Sequence, residues 1–180
     1  LAAVYPEYRP RSARVNTLAD RGNECMERSL NGRAFPPDSS KLQAVVAYIT
    51  WLSRGVPQGA TLSWRGLQRI ESRRPLDAGN GKNVFAGKCV FCHGFDGQGT
   101  MDAPPVWGPQ SYTIAAGMAW GSVAAAFIKA TMPRSWGWCM SDADDYADAE
   151  DFNAQPRPAF QGNVHDWPTG GSPEGSQSLR

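Results

Sequence analysis

Histidine is nearly absent from this chain. There are two in 180 residues, His93 and His165, beside four cysteines. So thin a supply excludes a closed zinc centre, which needs a second Cys or His pair at ligand spacing. Cys25, Cys139 and His165 each stand alone. No apolar run approaches twenty residues, so no segment reads as a membrane-spanning helix. An excess of one charge is also missing: 18 Lys and Arg meet 17 Asp and Glu, for a net charge of +1. Bulk charge therefore points to neither nucleic acid nor an anionic membrane. No general acid/base constellation stands out either. Glu24 and Glu27 read as a solvated helix face.

What the chain does have is 19 glycines, 14 prolines and seven tryptophans. That composition suits a loop-rich fold wrapped around a large flat cofactor, which would supply much of the core. The cofactor is named by Cys89-Val90-Phe91-Cys92-His93. Cys-x-x-Cys-His is the attachment motif of c-type haem. One turn of helix matches two thiols to the two vinyl-derived carbons of the porphyrin, and the following histidine lies under the iron as proximal ligand. A thioredoxin-like Cys-x-x-Cys would need a preceding strand. Here "NGKNVFAGKCVFCHG" reads as a short helix ending at Gly94.

The iron then needs a sixth ligand. Met132 follows His93 by thirty-nine residues, after a helical run from Val123 to Lys129 that Pro133 stops. A methionine at such a stop belongs in a loop over the open haem face, and it raises the haem potential. Met101, Met118 and Met140 are other methionines able to serve, and Lys129 and His165 are weaker alternatives. Because c-type haem is attached outside the cytoplasm, the protein is expected in the periplasm. The opening residues do not read as a secretory leader, so the sequence is expected to be a mature form or a fragment.

The expected fold is mostly α and cytochrome c-like, with two small helical lobes and long loops wrapped around haem. The N-terminal lobe is assigned to 1–78, a cytochrome c domain to 79–160 and a surface tail to 161–180. Residues 1–15 read as an extended basic lead-in. A helix over 17–31 has Thr17 as N-cap, Asp20 at the capping-box position and Gly32 as its end. A second helix over 40–53 gathers Leu42, Val45, Val46, Ile49 and Leu52 on one face and ends at Gly55 and Pro57. Residues 56–78 read as an irregular linker or wrapping segment. Further helices are expected into the haem motif, over 121–131 and over 141–154, and the polar tail is expected to lie over the surface.

On the first helix Arg21, Cys25 and Ser29 fall at i, i+4 and i+8 and share a face. A guanidinium one turn from a thiol favours the thiolate, which is a nucleophile and a soft metal ligand. A buried inert cysteine remains the competing interpretation from composition alone.

Three blocks carry a resemblance. They are "RVNTLADRGNECMERSLNGRAFPPDSSKLQAVVAYITWLSRGVPQG", then "KCVFCHGFDGQG" with "PPVWGPQSYTIAAGMA" and "AAAFIKATMP", and last "NAQPRPAF" with "VHDWPTGGSP". From about Tyr8 to Pro173 the chain resembles the thiosulfate dehydrogenase family of dihaem c-type cytochromes. The resemblance implies coupling of two thiosulfates into tetrathionate, with release of two electrons. It implies an active-site haem ligated by histidine and by the sulfur of Cys25, with Arg11, Arg21 and Ser29 in the active site. Arginine is the natural clamp for such a small dianion. A thiolate there can form a transient S–S bond with substrate. The Cys89/Cys92/His93 haem, with Met132 opposite, would pass electrons to an external acceptor such as a small cytochrome c or a high-potential iron–sulfur protein.

The resemblance also places a haem motif upstream of Cys25. No second Cys-x-x-Cys-His is present here, so one haem c is expected to attach at Cys89 and Cys92. A second is expected near Cys25 if residues precede Leu1 or if a partner chain supplies it. The alternative is a monohaem electron-transfer subunit without catalysis of its own. The family's last helix has a largely apolar face. Here Asp145, Asp148, Glu150 and Asp151 crowd it, and poor packing is expected. Cys139 matches no family role.

Overall fold

Thr17 opens the first helix as its sequence requires. Its side chain accepts from Asp20 N–H while the Asp20 carboxylate accepts from Thr17 N–H, a complete capping box. In the computed structural model, which describes residues 1–70, 78–160, 162 and 165–171, helix α1 spans Leu18–Glu24. It does not run on as regular α-helix to residue 31. From Cys25 to Ser29 the backbone winds into a π-helical turn, with Leu30 N–H donating to the Cys25 carbonyl. Gly32 N–H then closes on Met26.

The lead-in is not a free strand. Glu7–Arg9 (β1) pairs antiparallel with Arg14–Asn16 (β2), and the tight turn between them carries Arg11 at its tip. Asn16 is fully buried and joins this hairpin to α1. Its amide donates to Glu24 and accepts from Ser12 and Arg14.

Helix α2 spans Ser40–Leu52. Of its expected apolar face only Leu42 is buried, and Leu52 is exposed together with the stacked pair Tyr48 and Trp51. Residues 56–70 form no helix or strand, as expected. Arg65 pins them to the hairpin by a two-pronged bond to Glu7, 2.7 Å at each oxygen. Ile70 accepts from Tyr146 Oη. Residues 71–77 of the linker and 161, 163, 164 and 172–180 of the tail lie outside the described residues.

Helix α3 (Ala78–Lys88) leads into α4 (Val90–His93), and α5 spans Gly121–Thr131. Helix α6 (Asp142–Asn153) begins at Ser141, whose hydroxyl caps Asp144 N–H. Its acidic first turn suits the positive end of the helix dipole. The core forms where α5 and α6 meet, with Ala124, Ala125, Ile128, Met140, Ala149 and Phe152 buried together.

The expectation of poor packing for α6 is overturned. The helix lies against both α3 and α5, and it buries Asp145, Asp148 and Asp151 in doing so. The small residues of its partners allow this. A Cβ at Gly81 would meet the Ala147 carbonyl oxygen at 2.2 Å, so the two backbones nearly touch. The acids are poorly satisfied. Neither oxygen of Asp145 accepts a hydrogen bond among the described residues, although Lys129 Nζ stands 3.4 Å from one of them. Burial pushes the Asp145 carboxyl up to about 6, against the pull of Lys129. It pushes Asp148 up to about 7, with Asp151 and Asp145 adding to the rise and the Cys89 thiol opposing it.

Three outcomes are expected. The folded state holds protons on Asp145 and Asp148 that the unfolded chain releases from about pH 4 upward, so the stability these two groups contribute is full below that pH and is lost as pH rises to about 7. Thermal melts at pH 5 and pH 8 should show the lower transition at pH 8, and Asp148→Leu should stabilise the fold at pH 8 by roughly 1–4 kcal/mol. Gly81→Ala should force α3 away from α6 and cost about 1–3 kcal/mol in a denaturant titration.

Candidate functional site

Cys89 is the N-cap of α4, the single helical turn that carries Cys92 and His93. Cys89 N–H donates to Phe85 at the end of α3, and His93 N–H donates to Cys89. The loop after the motif folds back on it. Gly99 N–H donates to the His93 carbonyl and Thr100 Oγ1 to the Cys92 carbonyl. Gly97 is required there, since a Cβ would run into the Trp107 ring. His93 Nδ1 lies 2.8 Å from the Pro104 carbonyl oxygen. An acceptor at that position calls for Nδ1–H, which leaves the Nε2 lone pair for a metal. This donor set fits haem c: two thiols one turn apart and an oriented imidazole beside them. The Cys89 thiol is 3.6 Å from Asp148, and burial followed by that carboxylate raises it far above the ordinary thiol range.

Met132 caps the end of α5 and is half-buried against the α5–α6 core. The other methionines are placed differently. Met140 is a core residue, Met118 packs beside the core and Met101 is fully exposed. Lys129 is occupied. Its ammonium pairs with Asp142 at 2.9 Å and with Asp145, and donates to the Met140 carbonyl. His165 is exposed in the tail.

A second constellation lies between the two lobes. A cavity of about 1120 Å³ is walled by Arg11 from the hairpin tip, by Arg21, Arg28 and Ser29 from α1 and its π turn, and by Trp120 and Tyr146 from the C-terminal half. Among the described residues, Arg9 and Arg69 add to the wall, against a single carboxylate, Glu24. The predicted Arg11, Arg21 and Ser29 are thus brought together. Cys25 is not among the lining residues but adjoins them, with Arg21 Nη1 donating to its sulfur at 2.9 Å. π turns often mark functional sites because they re-aim side chains, and this one begins at Cys25.

Arg28 was missed by the sequence pattern, although it stands seven residues after Arg21 and so on nearly the same helical face. Its backbone carbonyl accepts from both the N–H and the hydroxyl of buried Thr113, which fixes it to the C-terminal half. Its side chain pairs with Asp166 at 2.8 Å. No local sequence signal announces Asp166.

Cys89→Ala/Cys92→Ala should leave haem that acidified organic solvent extracts, whereas the parent protein should retain it through denaturation. Gel electrophoresis with a haem-peroxidase stain reads this directly.

Two family models match the chain. "SoxA/TsdA, cytochrome c domain" matches residues 1–58 and "Cytochrome c" matches residues 78–159. Such domains carry covalently bound haem c. Thiosulfate dehydrogenase of Allochromatium vinosum is 40% identical over 163 residues, covering 87% of this chain and 60% of that protein. Thiosulfate dehydrogenase of Psychrobacter arcticus is 38% identical over 178 residues, covering 96% and 54%. Among solved structures, "Thiosulfate dehydrogenase (TsdBA)" from Marichromatium purpuratum superposes with a TM-score of 0.81 at 35% identity, covering 91% of this chain and 38% of that one. The chain spans a little over half the length of the curated relatives it matches.

Proposed function

We propose, from the premise that the chain belongs to the thiosulfate dehydrogenase family, that it forms the oxyanion-binding and electron-transferring part of an enzyme that joins two thiosulfates. Two S₂O₃²⁻ become S₄O₆²⁻ through one new S–S bond, and two electrons leave. Residues 1–78 would form the lobe that binds the anion, 79–160 the cytochrome c domain and 161–180 the tail.

The observation that carries this proposal is the arginine-walled cavity beside Cys25. A small dianion needs charge and fixed donors. Arg11 and Arg21 supply planar guanidinium forks, and Ser29 supplies a hydroxyl. The Arg21 contact would keep the Cys25 sulfur next to the same site, within reach of the sulfane sulfur of the substrate. Cys89 and Cys92 would hold haem c, with His93 and Met132 as its axial ligands. When bound, haem supplies a one-electron sink. A second haem would lie near Cys25. The acceptor would be a small cytochrome c or a high-potential iron–sulfur protein. The compartment would be the periplasm. No helix among the described residues is long and apolar enough to cross a membrane.

One observation favours a second interpretation. These 180 residues hold a single Cys-x-x-Cys-His, as an electron-transfer subunit without chemistry of its own would. Haem-loaded protein of known mass separates the two. Thiosulfate should reduce the haem of the parent chain, and Cys25→Ala should slow that reduction by at least a hundredfold while leaving dithionite reduction intact. If the parent is unreduced by thiosulfate and carries one haem per chain, the electron-transfer assignment stands.

A further inference from the structure

We propose that Asp166 is a positioning residue for the anion clamp, fixing Arg11 and Arg28 in the cavity wall. This rests on the assignment of that cavity to a sulfur oxyanion. Asp166 reaches back 155 residues to Arg11 and 138 to Arg28. One carboxylate oxygen accepts from Arg11 Nε at 2.8 Å and also pairs with its Nη2. The other accepts from Arg28 Nη2 at 2.8 Å. The carboxylate is 4% exposed, the two guanidinium side chains 11% and 13%.

The placement decides the role. Both arginines line the cavity and Asp166 does not, so it stands behind them. An internal anion competing for the clamp would stand in front. Arg11 Nη2 also donates to the Ala115 carbonyl, and Arg11 Nη1 makes no hydrogen bond among the described residues. The guanidinium is therefore fixed on one side and left with donors to spare. Its plane lies over Trp120, and that of Arg28 over Phe160. The next residue in the chain locks the same unit: Trp167 N–H donates to the Arg11 carbonyl at 2.7 Å, and its ring packs on Trp120.

The physical need is plain. Two guanidiniums side by side repel: burial first, and then Arg28, disfavours the charge on Arg11, while the Asp166 bond favours it. A carboxylate bridging them offsets the repulsion. A free arginine also loses considerable rotamer freedom when it grips a ligand, and holding it beforehand removes that cost. Among the described residues the wall holds five arginines and one glutamate, so their balance stays cationic even with Asp166 counted.

The test uses the full haem-loaded, oxidised chain with thiosulfate as titrant in calorimetry, and turnover measured in parallel. Asp166→Asn should weaken thiosulfate binding at least tenfold with an unchanged Soret band, and KM should rise more than kcat falls. Asp166→Glu should recover affinity to within about threefold. Asn binding within twofold of the parent, or binding more tightly, overturns the proposal. So does a Glu variant that recovers melting temperature without affinity, since Asp166 would then only tie the lobes together. A parent that binds thiosulfate without turnover defeats the dehydrogenase assignment alone, and the affinity series still decides Asp166. A parent that binds none defeats both.

Discussion

The close crossing of α3 and α6 is the constraint from which the C-terminal half follows. Gly81 lets the two backbones meet at the Ala147 carbonyl, and α3 then delivers Cys89, Cys92 and His93 at its far end. The loop through Thr100 folds back on the motif only because that end is fixed, and Pro104 can then orient His93. Helix α5 packs on the other side of α6 through alanines. This brings the Met132 turn to the same core. One glycine and a row of alanines therefore govern where both proposed axial ligands begin.

The same crossing has a cost. Helix α6 turns Asp145, Asp148 and Asp151 inward, where hydrocarbon would ordinarily pack. The protein answers with Lys129, which is drawn under Trp138 and held by Asp142, Asp145 and a carbonyl. That answer is partial, and protonation does the remainder. A buried carboxyl that keeps its proton behaves as a small polar group rather than as a charge. Packing here is therefore coupled to pH in a way that an apolar helix would not be.

The haem motif, the capping box at Thr17 and the helix over 121–131 were legible because each is a local pattern whose chemistry lies within a few residues. The i, i+4 pairing of Arg21 with Cys25 was legible for the same reason, and it appears as a hydrogen bond. The hairpin at 7–16 was not. Its strands are three residues each and lack a clear alternation, and a buried asparagine rather than an apolar face fixes them. The π turn was hidden because helical periodicity assumes an unbroken α-helix. The acidic face of α6 misled in the other direction. A pattern of residue types cannot register that neighbouring alanines and glycines allow close approach, or that a carboxyl can be buried protonated. Arg28 and Asp166 lie 138 residues apart, beyond the reach of any local rule.

Near-neutral composition conceals a strong separation of charge. Acids gather on α6 inside the C-terminal half, while arginines gather around the interlobe cavity. An anion approaching this protein thus meets little long-range field, because a net charge of +1 steers weakly. What it meets is short-range: five guanidiniums on the wall of one cavity, two of them held from behind. Such a site discriminates by geometry and short-range charge, with Arg11 and Arg28 nearly buried, rather than by attraction at a distance. A small, doubly charged anion gains most from it, since several forks can converge on one ligand. A singly charged or bulky anion satisfies fewer donors and leaves buried N–H groups unpaired. The architecture also keeps two tasks largely apart. The proposed anion clamp would rest mainly on the hairpin, α1 and the tail, whereas the Cys89, Cys92 and His93 motif rests on α3, α4 and their packing on α6. The two halves share a wall, since Trp120 and Tyr146 of the C-terminal half also line the cavity.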